Sequence, residues 1–405
     1  MQTRLKLDVY AGEHLSGTLA RSQIEEESYL FGYADGTADP DAVSLTMPVV
    51  RDQYDSMNGL LPIFEMNLPE GALLEKLRNQ FAKIIPQFDS LDLLAIVGQS
   101  QIGRLLYSTS GTTPVAIPEQ NLSQLLAYAG AEDLFADLLR QYAVHSGISG
   151  IQPKVLVRES HSPLPRLSHR AATHIVKSFD PREFPELAAN EFFCTRAAKH
   201  AGISVPSLRL SDNRRVLISE RFDLQADGRY EGCEDFCVLN GLRAHGRYDG
   251  SYEGIAERIA QFVSMENQRQ AFEQFFATLV LCCAVGNGDA HLKNFAVLYE
   301  HPESAVRLAP AFDLVCTTLY YARDVLALTL ADSKSFPDRK RLTTFALSSC
   351  NLSAARTMEI LNTVTTGIKR AIQDLRRYVK QRTDFEGPAA KLIAAFEHGA
   401  AGIAG

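Results

Sequence analysis

The sequence predicts an α+β protein in three parts: an N-terminal α+β subdomain, a small lobe of short strands, and a mostly helical C-lobe. Three observations carry that prediction. Alternating or wholly apolar runs of strand length, at 5–10, 155–157, 174–177 and 216–218, concentrate before residue 225. An i, i+3, i+4 apolar pattern spans 267–285, and the chain from about 230 onward reads mostly as helix. Gly147, Gly150 and Pro153 punctuate the chain between these regions. With 405 residues the chain is long enough for two or three domains and a sizeable core.

Taken in order, residues 1–145 form the first part. Residues 5–10 alternate as a strand, and Gly12 turns the chain toward a second run at 16–21. Helices are expected at 73–85 and 121–144; the latter carries Leu125, Leu126, Ala129, Leu134, Leu138 and Leu139 and is bent at Gly130. Residues 146–225 supply strands at 155–157, 174–177, 205–210 and 216–218, with a helix over 186–201. Residues 226–405 open into the long helix 267–285, whose apolar face is Phe272, Phe275, Phe276, Leu279, Val280 and Cys283. Gly286 ends it. A polar loop at 287–294 follows, then apolar runs at 295–299 and 306–308. The Ala/Gly tail at 399–405 is expected to fray.

Composition narrows the function. Apolar residues make up 46% and charged residues 22%, as in soluble globular proteins. A net charge of −7 makes the chain a poor nucleic-acid binder by itself. Arg376, Arg377, Lys380 and Arg382 cluster, but read as a solvated helix face. The N-terminus lacks the apolar core of a signal peptide, and no run is long enough to span a bilayer, so no membrane association is expected. Seven cysteines, mostly within apolar segments, read as reduced core thiols of a cytoplasmic protein. Cys233 and Cys237 are four apart, but no second pair has zinc spacing.

The chemistry is concentrated at Gly286-Asn287-Gly288-Asp289-Ala290-His291-Leu292-Lys293-Asn294 and at Ala311-Phe312-Asp313. Two carboxylates and a carboxamide stand at the spacing of a phosphoryl-transfer site. There, one Asp takes the acceptor hydroxyl's proton, an Asn five residues later holds a magnesium ion, and a second Asp further on holds another. The plainer reading is a turn with Asp289 capping a helix. No Gly follows Asp313; Leu314 does. Lys177 ends a strand and Glu191 lies early in the next helix, where such sites place a phosphate-holding Lys and its positioning Glu. A surface lysine and a first-turn acid are the alternatives. Residues 146–155 form a glycine-containing loop before a strand, whose backbone N–H groups can cradle phosphate. Ser146 and Ser149 flank its glycines. Ser219-Glu220-Arg221-Phe222-Asp223 leaves a strand where a two-lobed kinase has its adenine-facing hinge. His291 would position the loop or contact phosphate, and Lys293 would contact the γ-phosphate. The pieces amount to a two-lobed, protein-kinase-like fold with a mostly helical C-lobe and an extra N-terminal α+β subdomain.

Together these segments resemble the HipA-like serine/threonine kinases, toxins of bacterial type II toxin–antitoxin modules. The resemblance runs through Leu60-Leu61-Pro62, Asn67-Leu68-Pro69-Glu70-Gly71, Ile148-Ser149-Gly150-Ile151-Gln152-Pro153-Lys154, Asn190-Glu191 and Glu220-Arg221-Phe222-Asp223. It continues through Glu234-Asp235-Phe236-Cys237, the loop 288–295 and the segment 308–314. It implies ATP and Mg2+ as cofactors, Asp289 as catalytic base, and Asn294 and Asp313 as magnesium ligands. It also implies Lys177 on the ATP phosphates, Glu220 and Phe222 around adenine, and the loop containing Ser149, Gly150, Gln152 and Lys154 over the phosphates. In this family a serine of that loop is autophosphorylated, which expels the loop and shuts off ATP binding. Ser149 matches it and Ser146 lies one step from a second such position. The added charge of roughly −2 would repel nucleotide. A helix-turn-helix antitoxin (HipB-like) is the implied partner, with DNA reached only through it. The implied targets are aminoacyl-tRNA synthetases. A small-molecule kinase on the same scaffold, and a non-catalytic nucleotide-binding partner of an antitoxin, are the other readings of the same residues.

Overall fold

The computed structural model describes residues 5–404 apart from 23–27, 52, 82–84, 86–87, 110–118, 128–133, 151, 153, 161–171 and 180. Contacts divide the chain into two units. The first is Met1–Ser178, Ser211–Ala244 and Leu298–Ala305, and the second Phe179–Leu210, His245–Val297 and Val306–Gly405.

In the first unit β1 (Lys6–Ala11) and β2 (His14–Arg21) form the expected hairpin, with Gly12 at φ +63° in the turn. With β3 (Tyr29–Tyr33), β4 (Gln53–Ser56) and β5 (Leu105–Thr109) they make an antiparallel sheet ordered β4-β3-β2-β1-β5. Leu7, Val9, Leu19, Phe31 and Tyr107 point from it into one core with Phe64, Leu77 and Leu94 from the adjoining helices. The helix expected at 73–85 is present as Gly71–Phe81. That expected at 121–144 is described as Leu122–Ala127 and Leu134–Tyr142, and the bend at Gly130 falls outside the described residues. Ser90–Val97 is a helix the apolar pattern did not announce. Asp89 starts it with a capping box, and Arg21 donates to both Asp89 (2.7 and 2.8 Å) and Asp92 (2.7 Å).

A second sheet carries β6 (Glu119–Gln120), β7 (Lys154–Glu159), β8 (His174–Ser178) and the strand Val216–Glu220 side by side; β6 runs parallel to β7 and the other neighbours are antiparallel. Val155, Leu156, Val157, Val176, Leu217 and Ile218 are buried on both faces, which is why these strands read as unbroken apolar runs.

The second unit is built on helix Met265–Val285, against which Ala354–Gln381 and Glu386–Ala404 pack. Gly399 lets the last helix approach helix Met265–Val285: a Cβ there would stand 2.0 Å from the Ala284 carbonyl oxygen, three residues before the polar loop begins. Leu187–His200, expected with the small-lobe strands, instead counts with these helices, because it lies along Ala354–Gln381. Arg196 and His200 both hydrogen-bond the buried Asp374, at 2.7 and 2.8 Å. Arg376, Arg377 and Lys380 are exposed, as a solvated face requires; Arg382 lies past the helix end at Gln381 and is half-buried. Among the described residues no helix is long and apolar enough to cross a membrane.

Candidate active site

In the second unit, helix Met265–Val285 stops where Gly286 takes φ +70° and donates its N–H to the Cys282 and Cys283 carbonyls. The turn after it is made by Asn287, not by Asp289. Buried Asn287 donates its N–H to Cys282 O (2.8 Å) and accepts the Asp289 N–H on Oδ1 (3.0 Å). The Tyr252 hydroxyl holds the Ala290 carbonyl at 3.1 Å. The turn Leu292–Asn294 is capped at His291, whose N–H donates to Asn294 Oδ1 at 3.1 Å, and strand Ala296–Tyr299 follows. Asp289 is therefore left unused by the local backbone. The residue is exposed, but its carboxyl group is packed against protein, and among the described residues it accepts a hydrogen bond from the Tyr248 hydroxyl at 2.8 Å.

A second segment braces this loop. Thr317 and Thr318 donate their N–H groups to Gly286 O at 3.0 and 3.2 Å. Thr317 Oγ1 accepts the Gly288 N–H at 2.7 Å and donates to Asp324. Gly288 has no space for a side chain, since a Cβ would lie 2.2 Å from Asp324 Oδ2 and 2.4 Å from Val325 O. Asp313 opens this segment at φ +53°, a left-handed backbone that costs about 1 kcal/mol for a residue with a Cβ.

Charge is concentrated here. Protein packed round the Asp289 carboxylate pushes its pKa above the usual carboxylate range. Tyr248's hydrogen bond opposes that rise, Asp313 adds to it, Arg247 opposes it, and Asp324 adds again. Burial, with Arg247 close by, lowers the His291 pKa to about 4 although Asp313 pulls the other way; the ring is thus neutral near pH 7. A phosphate contact from His291 would be a hydrogen bond and not an ion pair. Asn294 Oδ1 keeps a second lone pair beyond His291's N–H, and Asp313 supplies carboxylate oxygens, so both suit a hard cation. Among the described residues no three or more His, Cys, Asp or Glu side chains gather as a metal cage. If both held one ion, its remaining positions would fall to water and phosphate, a coordination that Mg2+ accepts. Lys293 is half-buried in the same loop.

In the first unit Lys177 is only 5% exposed, which rules out the surface-lysine reading. It lies on β8 directly opposite Lys154 of β7, itself buried. Ser149 Oγ donates to Glu70 Oε1 at 2.5 Å, and Gly150 passes so close that a Cβ would sit 2.4 Å from Lys154 Nζ. Gln152 is half-buried; Ile151 and Pro153 lie outside the described residues. Ser146 requires a correction. It is fully buried, donating to Tyr142 O (2.7 Å) and accepting from Leu156 N (2.9 Å), so it is a structural serine and not a phosphoacceptor. After strand Val216–Glu220, Glu220 points to solvent and Phe222 is half-buried, while Arg221 and Asp223 alternate inward. Arg221 meets Asp223 at 2.6 Å, donates to Gln101 O at 2.7 Å and stacks over Tyr230 at 4.0 Å. Asp223 also accepts the Gly103 N–H at 2.7 Å. Glu191 belongs to the second unit's helix Leu187–His200, where it is buried rather than a first-turn surface acid.

Tyr248, Thr317 and Asp324 escaped the sequence reading. Each lies at a separation no motif marks, and the hydrogen bonds that assign them are tertiary.

Comparison with known proteins places the chain. The model of the HipA N-terminal domain matches residues 7–108, and that of the HipA-like C-terminal domain matches 146–372. Y4mE of Sinorhizobium fredii is 29% identical over 217 residues, 51% of this chain and 50% of that protein. Y4dM of the same organism is 26% identical over 293 residues, 67% of this chain and 66% of its own length. A Haemophilus influenzae protein is 29% identical over 205 residues, 45% of this chain and 57% of its own. All three are named as candidate kinases, and the chain spans half to two-thirds of their length. HipA of Shewanella oneidensis MR-1, solved with HipB and operator DNA, aligns at TM-score 0.68 and 18% identity over 97% of each chain, a likeness of fold. With the C-terminal model alone covering more than half of its residues, this chain belongs to the HipA family.

Proposed function

We propose that the chain is an ATP- and Mg2+-dependent protein serine/threonine kinase acting as the toxin of a toxin–antitoxin module. The observation that carries this reading is Asp289. It is a carboxylate on an exposed residue, its pKa raised by the protein packed round it, freed from capping by Asn287, in a loop that also holds Asn294. In the proposed reaction the acceptor oxygen bonds to the γ-phosphorus of ATP as that atom's bond to the β–γ bridging oxygen breaks. The hydroxyl proton passes to Asp289, and ADP leaves. Asn294 and Asp313 would hold Mg2+, which when bound neutralises charge on the phosphates. Lys293 would contact the γ-phosphate, with His291 as a neutral hydrogen-bonding neighbour. Lys177 and Lys154, buried and directly opposite each other on neighbouring strands, would stabilise the polyphosphate. Glu220 and Phe222 would bracket adenine.

Self-inhibition fits Ser149. Its hydroxyl rests on the Glu70 carboxylate, and a phosphate there would replace a 2.5 Å hydrogen bond by repulsion between like charges, driving the loop 148–154 from its seat. The antitoxin would be a HipB-like helix-turn-helix protein, with DNA contacted through it. The substrate would be a translation protein of the aminoacyl-tRNA synthetase class.

Intact-mass spectrometry of dephosphorylated protein with Mg-ATP is the test. A gain of one phosphate on Ser149, absent from Asp289→Asn protein, is the expected result. No transfer to itself or to lysate protein, with turnover of a metabolite instead, would replace this reading by a small-molecule kinase.

A further inference from the structure

A carboxylate that must take a proton from an incoming hydroxyl has two soft torsions, and its rate depends on how well they are held. The backbone around Asp289 is fixed, as described, but only one side-chain hydrogen bond among the described residues reaches its carboxylate, that from Tyr248 to Oδ1. Tyr248 is itself well placed to hold. It ends the short turn Ala244–Tyr248, and its ring stands edge-on to His291, with centroids 5.1 Å apart and planes at 79°. His291 is only 8% exposed, so it gives the ring a rigid backing. Tyr248 is 41% exposed, so its hydroxyl holds Asp289 from the solvent side.

Resting on the kinase reading above, we propose that Tyr248 is a positioning residue for the proton acceptor. Its hydroxyl holds Oδ1 of Asp289 so that Oδ2 faces the acceptor. A phenol donor suits the task because it has no charge to compete with Asp289 for the acceptor proton, and its ring is too large to swing freely between Asp289 and His291.

Tyr248→Phe tests this, since it removes the hydroxyl and keeps the ring against His291. The maximal rate of phosphate transfer is expected to fall about 10- to 100-fold, the scale of one hydrogen bond to a charged group. Half-saturating ATP is expected to stay within about twofold, because the lost contact acts on the transfer step and not on nucleotide binding. In an Asp289→Asn background the same change is expected to cost nothing further, since both act on one group. An unchanged maximal rate, a loss carried by ATP affinity, or an additive loss in the double variant would each overturn the assignment. Matching thermal melts for wild type and Tyr248→Phe accompany the rates. If the wild-type protein transfers no phosphate to itself or to lysate proteins, the kinase reading falls and this inference with it. If the wild type is active and Tyr248→Phe equals it, only this inference falls.

Discussion

Asp289→Asn is expected to lower phosphate transfer by about 10²- to 10⁴-fold, the range general bases contribute. The carboxamide has the same shape and Oδ1 can still accept from Tyr248, so what is lost is the capacity to take a proton. Folding should not suffer. Asp289 is exposed, caps nothing, and feels the like charges of Asp313 and Asp324; removing its charge relieves that repulsion, so the melting temperature should hold or rise slightly. Rates and melts measured on the same samples separate the two effects. Wild-type transfer by this variant would mean that another group takes the proton. Growth arrest that persists without transfer would separate toxicity from kinase activity.

Arg221→Met is expected to cost about 3–5 kcal/mol, the scale for breaking a buried ion pair from one side. The side chains of Arg221 and Asp223 are 0% and 1% exposed. Without the guanidinium, Asp223 would remain buried with the Gly103 N–H as its described donor, beside the Tyr230 ring that the cation had covered. The Gln101 carbonyl would also lose its donor. The double variant Arg221→Met with Asp223→Asn should recover part of the loss, because no net charge is then left buried. Urea unfolding of the single and double variants checks this; equal midpoints for wild type and Arg221→Met would mean that the pair contributes nothing. Under the proposed kinase reading, in which Glu220 and Phe222 would bracket adenine, weaker ATP binding is the expected functional accompaniment.

What the sequence made legible was whatever repeats locally. The hairpin through Gly12, the helix ended by Gly286 and the strand pairs on either side of Lys177 follow from period, turn chemistry and apolar runs, all of which act over a few residues. Ser90–Val97 was missed because its apolar residues are nearly continuous and lack helical period; its start is set by the Asp89 cap and by Arg21, which lies in a distant strand. Leu187–His200 was assigned to the wrong neighbours because its partner, Asp374, is 174 residues from His200. At the site, Asp289 and Asn294 were visible by spacing. Tyr248, Thr317 and Asp324 were not, since their roles arise from hydrogen bonds between segments that only folding brings together. The burial of Ser146 was hidden for the same reason: the bonds to Tyr142 and Leu156 that hold it inside are invisible in one dimension.

All seven cysteines are free and buried. Burial raises the Cys194, Cys233 and Cys283 thiols well above their ordinary pKa, brings Cys282 and Cys350 to about 12, and raises Cys316 as well. The attacking species in alkylation and oxidation is the thiolate, which these sites suppress while also blocking approach. The folded surface is thus chemically silent toward thiol reagents. Its cysteines, spread from the helix at 187–200 to the turn at 350, become visible to a reagent only as the segment that shelters each of them opens, so the chain carries its own record of which parts come apart first.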